Sequence, residues 1–278
     1  MPYTCFDVSI EDKIAHVRLS RPEAFNTMTK EFWDELPEIV NALDAGAEAR
    51  AIVLSSTGKH FTGGMDLAVF GDGSLGGGGG EVGRKRANLR RQVLHLQNTF
   101  SCLDRARIPV LAAIQGACIG GGVDMISSCD MRYCTENAYF CIQEINIGMT
   151  ADVGTFPRLP KLIPEGLVRE LAYTGRRLTA PEAKEAGLVN RIYPDHDALV
   201  AGVTEIAKEI AERSPLAVWG SKEMINYARD HSIGDALDYI ATWQTGMFQP
   251  ADMMEAFKAK QEQRDPNYED LLPLKNKL

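Results

Sequence analysis

Residues 109–128 read Pro109-Val-Leu-Ala-Ala-Ile114-Gln-Gly116-Ala-Cys-Ile-Gly120-Gly-Gly-Val-Asp124-Met-Ile-Ser-Ser128. The apolar stretch up to Ile114 is a buried strand by length and composition. Gly116 and the triplet Gly120-Gly121-Gly122 then interrupt the chain, and Met125-Ile126-Ser127-Ser128 can begin a helix. Consecutive glycines at a strand-to-helix junction bare backbone N–H groups beside the positive end of the helix. A carbonyl oxygen gaining negative charge could rest there, although close packing of the turn against a neighbour would use the same glycines. Strand, glycine turn and helix in this order point to layered α/β architecture.

The pattern extends both ways. Upstream, Ile14 to Leu19 alternates as a strand, Phe32, Leu36, Ile39 and Leu43 recur at helical spacing, and Ala51 to Leu54 is a short buried strand. Pro37 inside the helical pattern marks a break or a kink. Leu89, Val93, Leu96, Phe100 and Leu103 predict an amphipathic helix. Downstream, Met131 to Tyr133 and Ala138 to Cys141 are strands, and Leu199, Val203, Ile206 and Ile210 open a run of helices. Alternating strands and helices imply crossover connections. We therefore expect an α/β core over 1–195 and a helical region over 196–278, too short for a core of its own, that docks or mediates assembly. No internal repeat is visible. The glycine-rich run 71–80 is expected as a mobile loop.

Composition narrows the function. The 278 residues suit one large domain or two small ones, at about 100–200 residues per domain. Thirty Lys and Arg against 38 Asp and Glu leave a net charge of −8, which argues against a global grip on nucleic acid or an anionic membrane. The longest apolar run, Ile108 to Ile114, falls far short of the roughly 20 residues of a membrane span. The six cysteines show no CxxC pattern and no paired histidines, so neither a zinc cage nor a disulfide framework is expected. No signal or transit pattern opens the chain, which makes the cytoplasm the expected compartment. The final Asn276-Lys277-Leu278 approaches the Ser-Lys-Leu peroxisomal signal.

Several motifs carry chemistry. Gly71-Asp-Gly-Ser-Leu-Gly76 matches the dinucleotide fingerprint in letters only, because no buried strand precedes it and no helix opens through it. His60-Phe61-Thr62-Gly63-Gly64-Met65-Asp66-Leu67 is a second glycine turn, and two such turns could aim one N–H each at one oxygen. Asp124 is the only charge between Gly116 and Ser128, and Glu144, Asp152 and Arg158 are the only charges from Ile142 to Leu159. Acids isolated in apolar, glycine-rich segments are desolvated and drawn toward useful proton affinities. Each could instead cap a helix or accept a buried hydrogen bond. Arg84, Lys85, Arg86, Arg90 and Arg91 form a basic cluster, either a solvated helix face or a contact for ligand phosphates.

Taken together, these residues resemble the crotonase (enoyl-CoA hydratase/isomerase) superfamily from about Phe6 to about Arg264. The likeness rests on Arg21-Pro22-Glu23-Ala24-Phe25-Asn26, on both glycine turns, on Cys129-Asp130-Met131-Arg132-Tyr133, and on Thr179-Ala180-Pro181-Glu182-Ala183 through Gly187-Leu188-Val189. The resemblance implies a spiral of ββα units, a homotrimer or dimer of trimers joined by C-terminal helices that also complete the site, and an acyl-coenzyme A thioester substrate. It implies an oxyanion hole from the N–H groups of Met65 and Gly121, with Gly63, Gly64, Met65, Asp66, Leu67 and Gly121 along the substrate path. The coenzyme is part of the substrate, and no metal or further cofactor is implied.

The acids point to a subgroup. A typical hydratase has glutamates at both positions matching Asp124 and Glu144, whereas Asp124, Glu144 and Asp152 together are similar to the dienoyl-CoA isomerases. In that subgroup's chemistry Glu144 takes a proton from C2 of a 3,5-dienoyl thioester, Asp152 returns one at C6, and Asp124 orients or polarises the pair. The alternatives are a hydratase acting through Asp124 and Glu144, a one-base Δ3,Δ2 isomerase, and an RNA-binding relative, which the net charge disfavours.

Overall fold

The computed structural model describes residues 3–66, 68–69, 81–248 and 250–274. The glycine-rich run 71–80, Leu67 and the terminal Asn276-Lys277-Leu278 lie outside the described residues.

Two strands open the chain, β1 (Phe6–Glu11) and β2 (Ile14–Leu19), paired antiparallel. β1 alternates apolar and polar residues and forms the edge of the larger sheet. Helix α1 (Lys30–Gly46) follows, then β3 (Ala51–Ser56), the long helix α2 (Val82–Arg105) and β4 (Val110–Ile114). The chain continues through β5 (Ala117–Ile119), α3 (Gly121–Ser127), β6 (Met131–Thr135) and β7 (Tyr139–Cys141). Helices α4 (Thr155–Arg158) and α5 (Glu165–Thr174), strand β8 (Leu178–Thr179), helix α6 (Ala180–Glu185) and strand β9 (Arg191–Tyr193) complete the sheet region. Four helices end it: α7 (His196–Ala211), α8 (Pro215–Ala228), α9 (Ile233–Met247) and α10 (Pro250–Glu262).

The larger sheet has the order β1-β2-β3-β4-β6-β9, parallel from β2 onward, and the smaller one has β5-β7-β8. The chain lays one strand in the large sheet, steps to the small one, and returns through a helix. This happens at β4-β5-α3 and again at β6-β7 before the helices that lead to β9. It is the expected ββα spiral, repeated in space without a repeat in sequence. The large sheet is covered on both faces, which is why its central strands are apolar at successive positions. Ala15, Val17, Ile52, Leu54, Ala112 and Ile114 point toward α1 and α2, while Ile14, Ala51, Val53, Leu111 and Ala113 face α7. Helix α7, on the C-terminal side of the expected boundary at 195/196, thus packs Leu199, Val203 and Ala207 onto the sheet.

Pro37 neither ends nor breaks α1. Proline has no N–H for the carbonyl four residues earlier. That carbonyl, on Trp33, instead accepts a buried bond from Thr99 Oγ1 of α2 at 2.8 Å. Helix α8 is tied to the core by Lys222, whose buried ammonium donates to the carbonyls of Leu103 and Ile108 and to Asp130 Oδ2. Among the described residues no helix is long and apolar enough to cross a membrane, and the six cysteines are free and buried.

Candidate active site

The two glycine turns meet. Thr62 bridges Cys118 of β5 in parallel, with Thr62 N–H donating to Ala117 C=O at 3.1 Å and Ile119 N–H donating to Thr62 C=O at 3.3 Å. Two residues further along both strands, Gly64 comes against Ile119 and Gly120. A Cβ on Gly64 would lie 2.8 Å from the Ile119 carbonyl oxygen, so only glycine allows this approach. At Gly121 a Cβ would stand 2.8 Å from Met28 Sδ, so a side chain there would have to displace the Met28 thioether.

Met65 is paired with Met28 in a parallel bridge. Met28 N–H donates to Gly64 C=O at 2.9 Å, and Asp66 N–H donates to Met28 C=O at 3.0 Å. In that pattern the Met65 N–H points away from Met28. Gly121 opens α3, where the first N–H groups have no partner within the helix. The helix thus begins inside the glycine turn, four residues before the expected Met125. Gly120, with φ 53° and ψ −119°, reverses the chain so sharply that helical geometry starts at the next residue. Met65 and Gly121 both line a cavity of about 810 Å³.

Three carboxylates sit in and behind this cavity. Asp124, on α3, has no solvent exposure and accepts a bond from Thr155 N–H on Oδ1 at 2.6 Å, while Oδ2 has no partner. Burial pushes its pKa up to about 6 against the pull of the Thr155 bond. Glu144 stands in the 3₁₀ turn Gln143–Ile147 and projects into the cavity. A Cβ on Gly120 would lie 3.1 Å from Glu144 Oε1, so the glycine makes room for this carboxyl. Glu144 Oε2 is buried without a partner. Burial, reinforced by the charge of Asp124, lifts its pKa to about 7. Asp152 lines the same cavity and is exposed, yet the protein atoms crowding its carboxyl raise its proton affinity above the ordinary aspartate value. Its backbone carbonyl accepts from Gln97 Nε2 at 2.7 Å.

Gly63, Gly64 and Asp66 also line the cavity. The Asp66 carboxylate is occupied with its own turn, accepting from Thr27 Oγ1 at 2.9 Å and Ala68 N–H at 3.0 Å. Asp124 is not in the cavity wall; it stands behind it. The basic cluster at 84–91 occupies the first turns of α2 and does not line the cavity. Sequence reasoning missed Trp33, Tyr139 and Arg177, which do line it, with the Arg177 guanidinium 4.2 Å over the Tyr139 ring. Nothing in the local sequence marks them, since they come from α1, β7 and the lead into β8. Among the described residues no cluster of His, Cys, Asp or Glu is arranged to hold a metal ion.

The chain is similar to known proteins over nearly its whole length. The chain is 43% identical over 258 residues, 92% of its length and 79% of the relative's, to a mitochondrial Δ3,5-Δ2,4-dienoyl-CoA isomerase of Rattus norvegicus. It is 38% identical, over 94% of both chains, to a peroxisomal protein of the same name from Arabidopsis thaliana. These names lend no support to the cytoplasmic expectation. The crystal structure of an enoyl-CoA hydratase from Bacillus anthracis superposes with a TM-score of 0.85 at 30% identity, covering 95% of this chain and 99% of that one. Residues 9–271 match the enoyl-CoA hydratase/isomerase family. Spiral, paired glycine turns and near full-length similarity agree, and the chain belongs to the enoyl-CoA hydratase/isomerase family.

Proposed function

We propose that the protein isomerises 3,5-dienoyl-CoA thioesters to 2,4-dienoyl-CoA. The observation that carries this reading is that Glu144 and Asp152 line one cavity together with Met65 and Gly121. The higher identity to relatives named as dienoyl-CoA isomerases than to the hydratase of known structure supports it.

The N–H groups of Met65 and Gly121 receive the thioester oxygen and stabilise the charge that develops there. That charge acidifies C2. Glu144 removes a C2 proton, and the resulting dienolate spreads its charge along the conjugated chain to C6. Asp152, protonated, delivers a proton at C6. Asp124 touches no substrate in this scheme. Held by the Thr155 N–H, its charge raises the basicity of Glu144. The reaction moves protons and double bonds without net oxidation, so it needs no metal, flavin or nicotinamide.

In the free site the higher proton affinity falls on Glu144, whereas the forward reaction starts with the proton on Asp152. An acyl chain lying along the cavity takes water from Asp152, the more exposed of the two, and raises its proton affinity in turn. The carboxylates therefore titrate as a set rather than singly. We also propose that the active form is a trimer or a dimer of trimers, in which neighbouring copies cover the exposed Met247, Phe248, Met253, Met254 and Phe257.

Absorbance of the 2,4-dienoyl product formed from 3,5-dienoyl-CoA, set against hydration of crotonyl-CoA, tests the activity. Faster hydration than isomerisation would make the hydratase reading the better one.

A further inference from the structure

Asp152 and Val153 line two cavities. The second, of about 560 Å³, lies between α2, the segment 151–161 and α8. Most of its lining residues are polar or charged. Ser101 Oγ accepts from Arg158 Nη2 at 3.0 Å, Arg158 Nε donates to Asp104 Oδ2 at 2.7 Å, and Asn226 Nδ2 donates to Asp104 C=O at 3.0 Å. Gln97, also in this wall, holds the Asp152 backbone at the partition between the two spaces. We propose that this second cavity is the route by which the Asp152 carboxyl exchanges its proton with solvent while an acyl chain fills the first.

The inference rests on the proton transfers proposed above, whose balance requires both carboxyls to be reset, and a second route lets Asp152 reset before the product has left. In each forward turnover the Glu144 carboxylate gains the proton that leaves C2, and the Asp152 carboxyl loses the one that arrives at C6. The substrate changes by no net proton, but the two side chains have exchanged states. Glu144 must shed a proton and Asp152 must gain one before the next turnover. A bound acyl chain displaces the water that would connect them through the first cavity. The second cavity offers hydrogen-bonding groups on several sides, the setting in which ordered water persists. It shares Asp152 and Val153 with the first cavity.

The test runs the reaction backwards. The 2,4-dienoyl thioester is incubated with enzyme in D₂O, so that Asp152 takes a proton from C6 and can return a deuteron. Deuterium at C6 is followed by mass spectrometry against net formation of the 3,5-dienoyl thioester. In the wild type, C6 exchange should outrun conversion. Ser101→Phe, which fills the cavity from α2, and Asn226→Phe, which fills it from α8, should each lower the ratio of exchange to conversion at least about fivefold. Ser101→Ala, which leaves the space open, should keep it. Single-turnover conversion of 3,5-dienoyl-CoA shows that each variant is folded and that Glu144 is competent.

An unchanged ratio in both filled variants would overturn the proposal, since the proton would then leave through the first cavity. C6 exchange in the wild type that never runs ahead of conversion would overturn it too. Absence of any dienoyl turnover in the wild type is distinct from these, because it removes the isomerase reading itself.

Discussion

Segments 116–128 and 142–154 both carry isolated carboxylates in glycine-rich sequence, yet they fold into opposite environments. In the first, every residue from Gly116 to Ser128 is buried except the half-buried Ile119, and Asp124 is gripped by a backbone N–H. In the second, residues 145–150 are exposed, the helical geometry is a short 3₁₀ turn, and Glu144 leaves one oxygen unpartnered. A carboxylate locked by a backbone donor in a closed segment can set a field but cannot exchange places with substrate. One on an open segment can reach a ligand and pass a proton on. The difference teaches that isolation in sequence marks a carboxylate as unusual, while the segment's exposure decides what it does.

Breaking the open segment should have the largest effect. Glu144→Gln is expected to lower isomerisation by about 10²–10⁴-fold, the usual worth of a general base, while the variant keeps its fold. Wild-type turnover on the best dienoyl substrate would remove Glu144 from its role. The closed segment is probed from the neighbouring turn by Gly64→Ala, which sets a methyl against the Ile119 carbonyl and forces the two turns apart. Displacing one oxyanion donor should reduce kcat by about 10²–10³-fold, with KM changed less, and steady-state kinetics read this directly.

A finer cut separates the two acids of the open segment. C6 lies three carbons beyond C3, roughly 3.7 Å along an extended chain by ordinary bond geometry, so an acid pair serving C2 and C3 does not also serve C6. Asp152→Asn should therefore suppress dienoyl isomerisation while Glu144-driven exchange of the C2 proton with solvent partly survives. Isomerisation by this variant at the wild-type rate would return the protein to the hydratases.

The comparison also has a pH signature. Folded Glu144 binds its proton more tightly than the ordinary glutamate value of 4.5, with a pKa of about 7. The stability linked to it is therefore fully present below pH 4.5 and is lost as pH rises to about 7. In urea unfolding, Glu144→Gln should gain on the wild type by about 3 kcal/mol between pH 4 and pH 8. In Asp124→Asn, which removes a neighbouring charge but keeps an acceptor for Thr155 N–H, the loss in Glu144-linked stability should be complete at lower pH. A flat difference between wild type and Glu144→Gln would show that the carboxyl is not held neutral. The smallest expected effect on chemistry concerns assembly. Sedimentation at micromolar concentration should give a trimer or hexamer, and a monomer would leave the C-terminal apolar residues without a partner.

Much of this was legible before folding. The stretch 109–128 announced a buried strand, a glycine turn and a helix because burial on both faces removes polar residues and close approach demands glycine. The three acids stood out because a charge is rare in apolar sequence. The strand β1 was not legible: it buries only Phe6 and reads like solvent-exposed chain. Nor was the survival of α1 through Pro37, which depends on a hydroxyl 62 positions later in the chain, on Thr99. Arg177 and Tyr139 entered the cavity wall unannounced, since wall residues are chosen by where crossovers end and not by local pattern.

By itself, then, the sequence determined the layer architecture, both glycine turns and the candidate acids, because periodicity, backbone permissiveness and charge isolation are local properties. Only the tertiary structure decided that the turns abut through the Thr62–Cys118 bridge, that Asp124 stands behind the cavity while Glu144 and Asp152 face it, and that Asp152 is shared with a second cavity. Those facts depend on register between strands far apart in the chain and on which atoms exclude water from a carboxyl, and neither is encoded in any single segment.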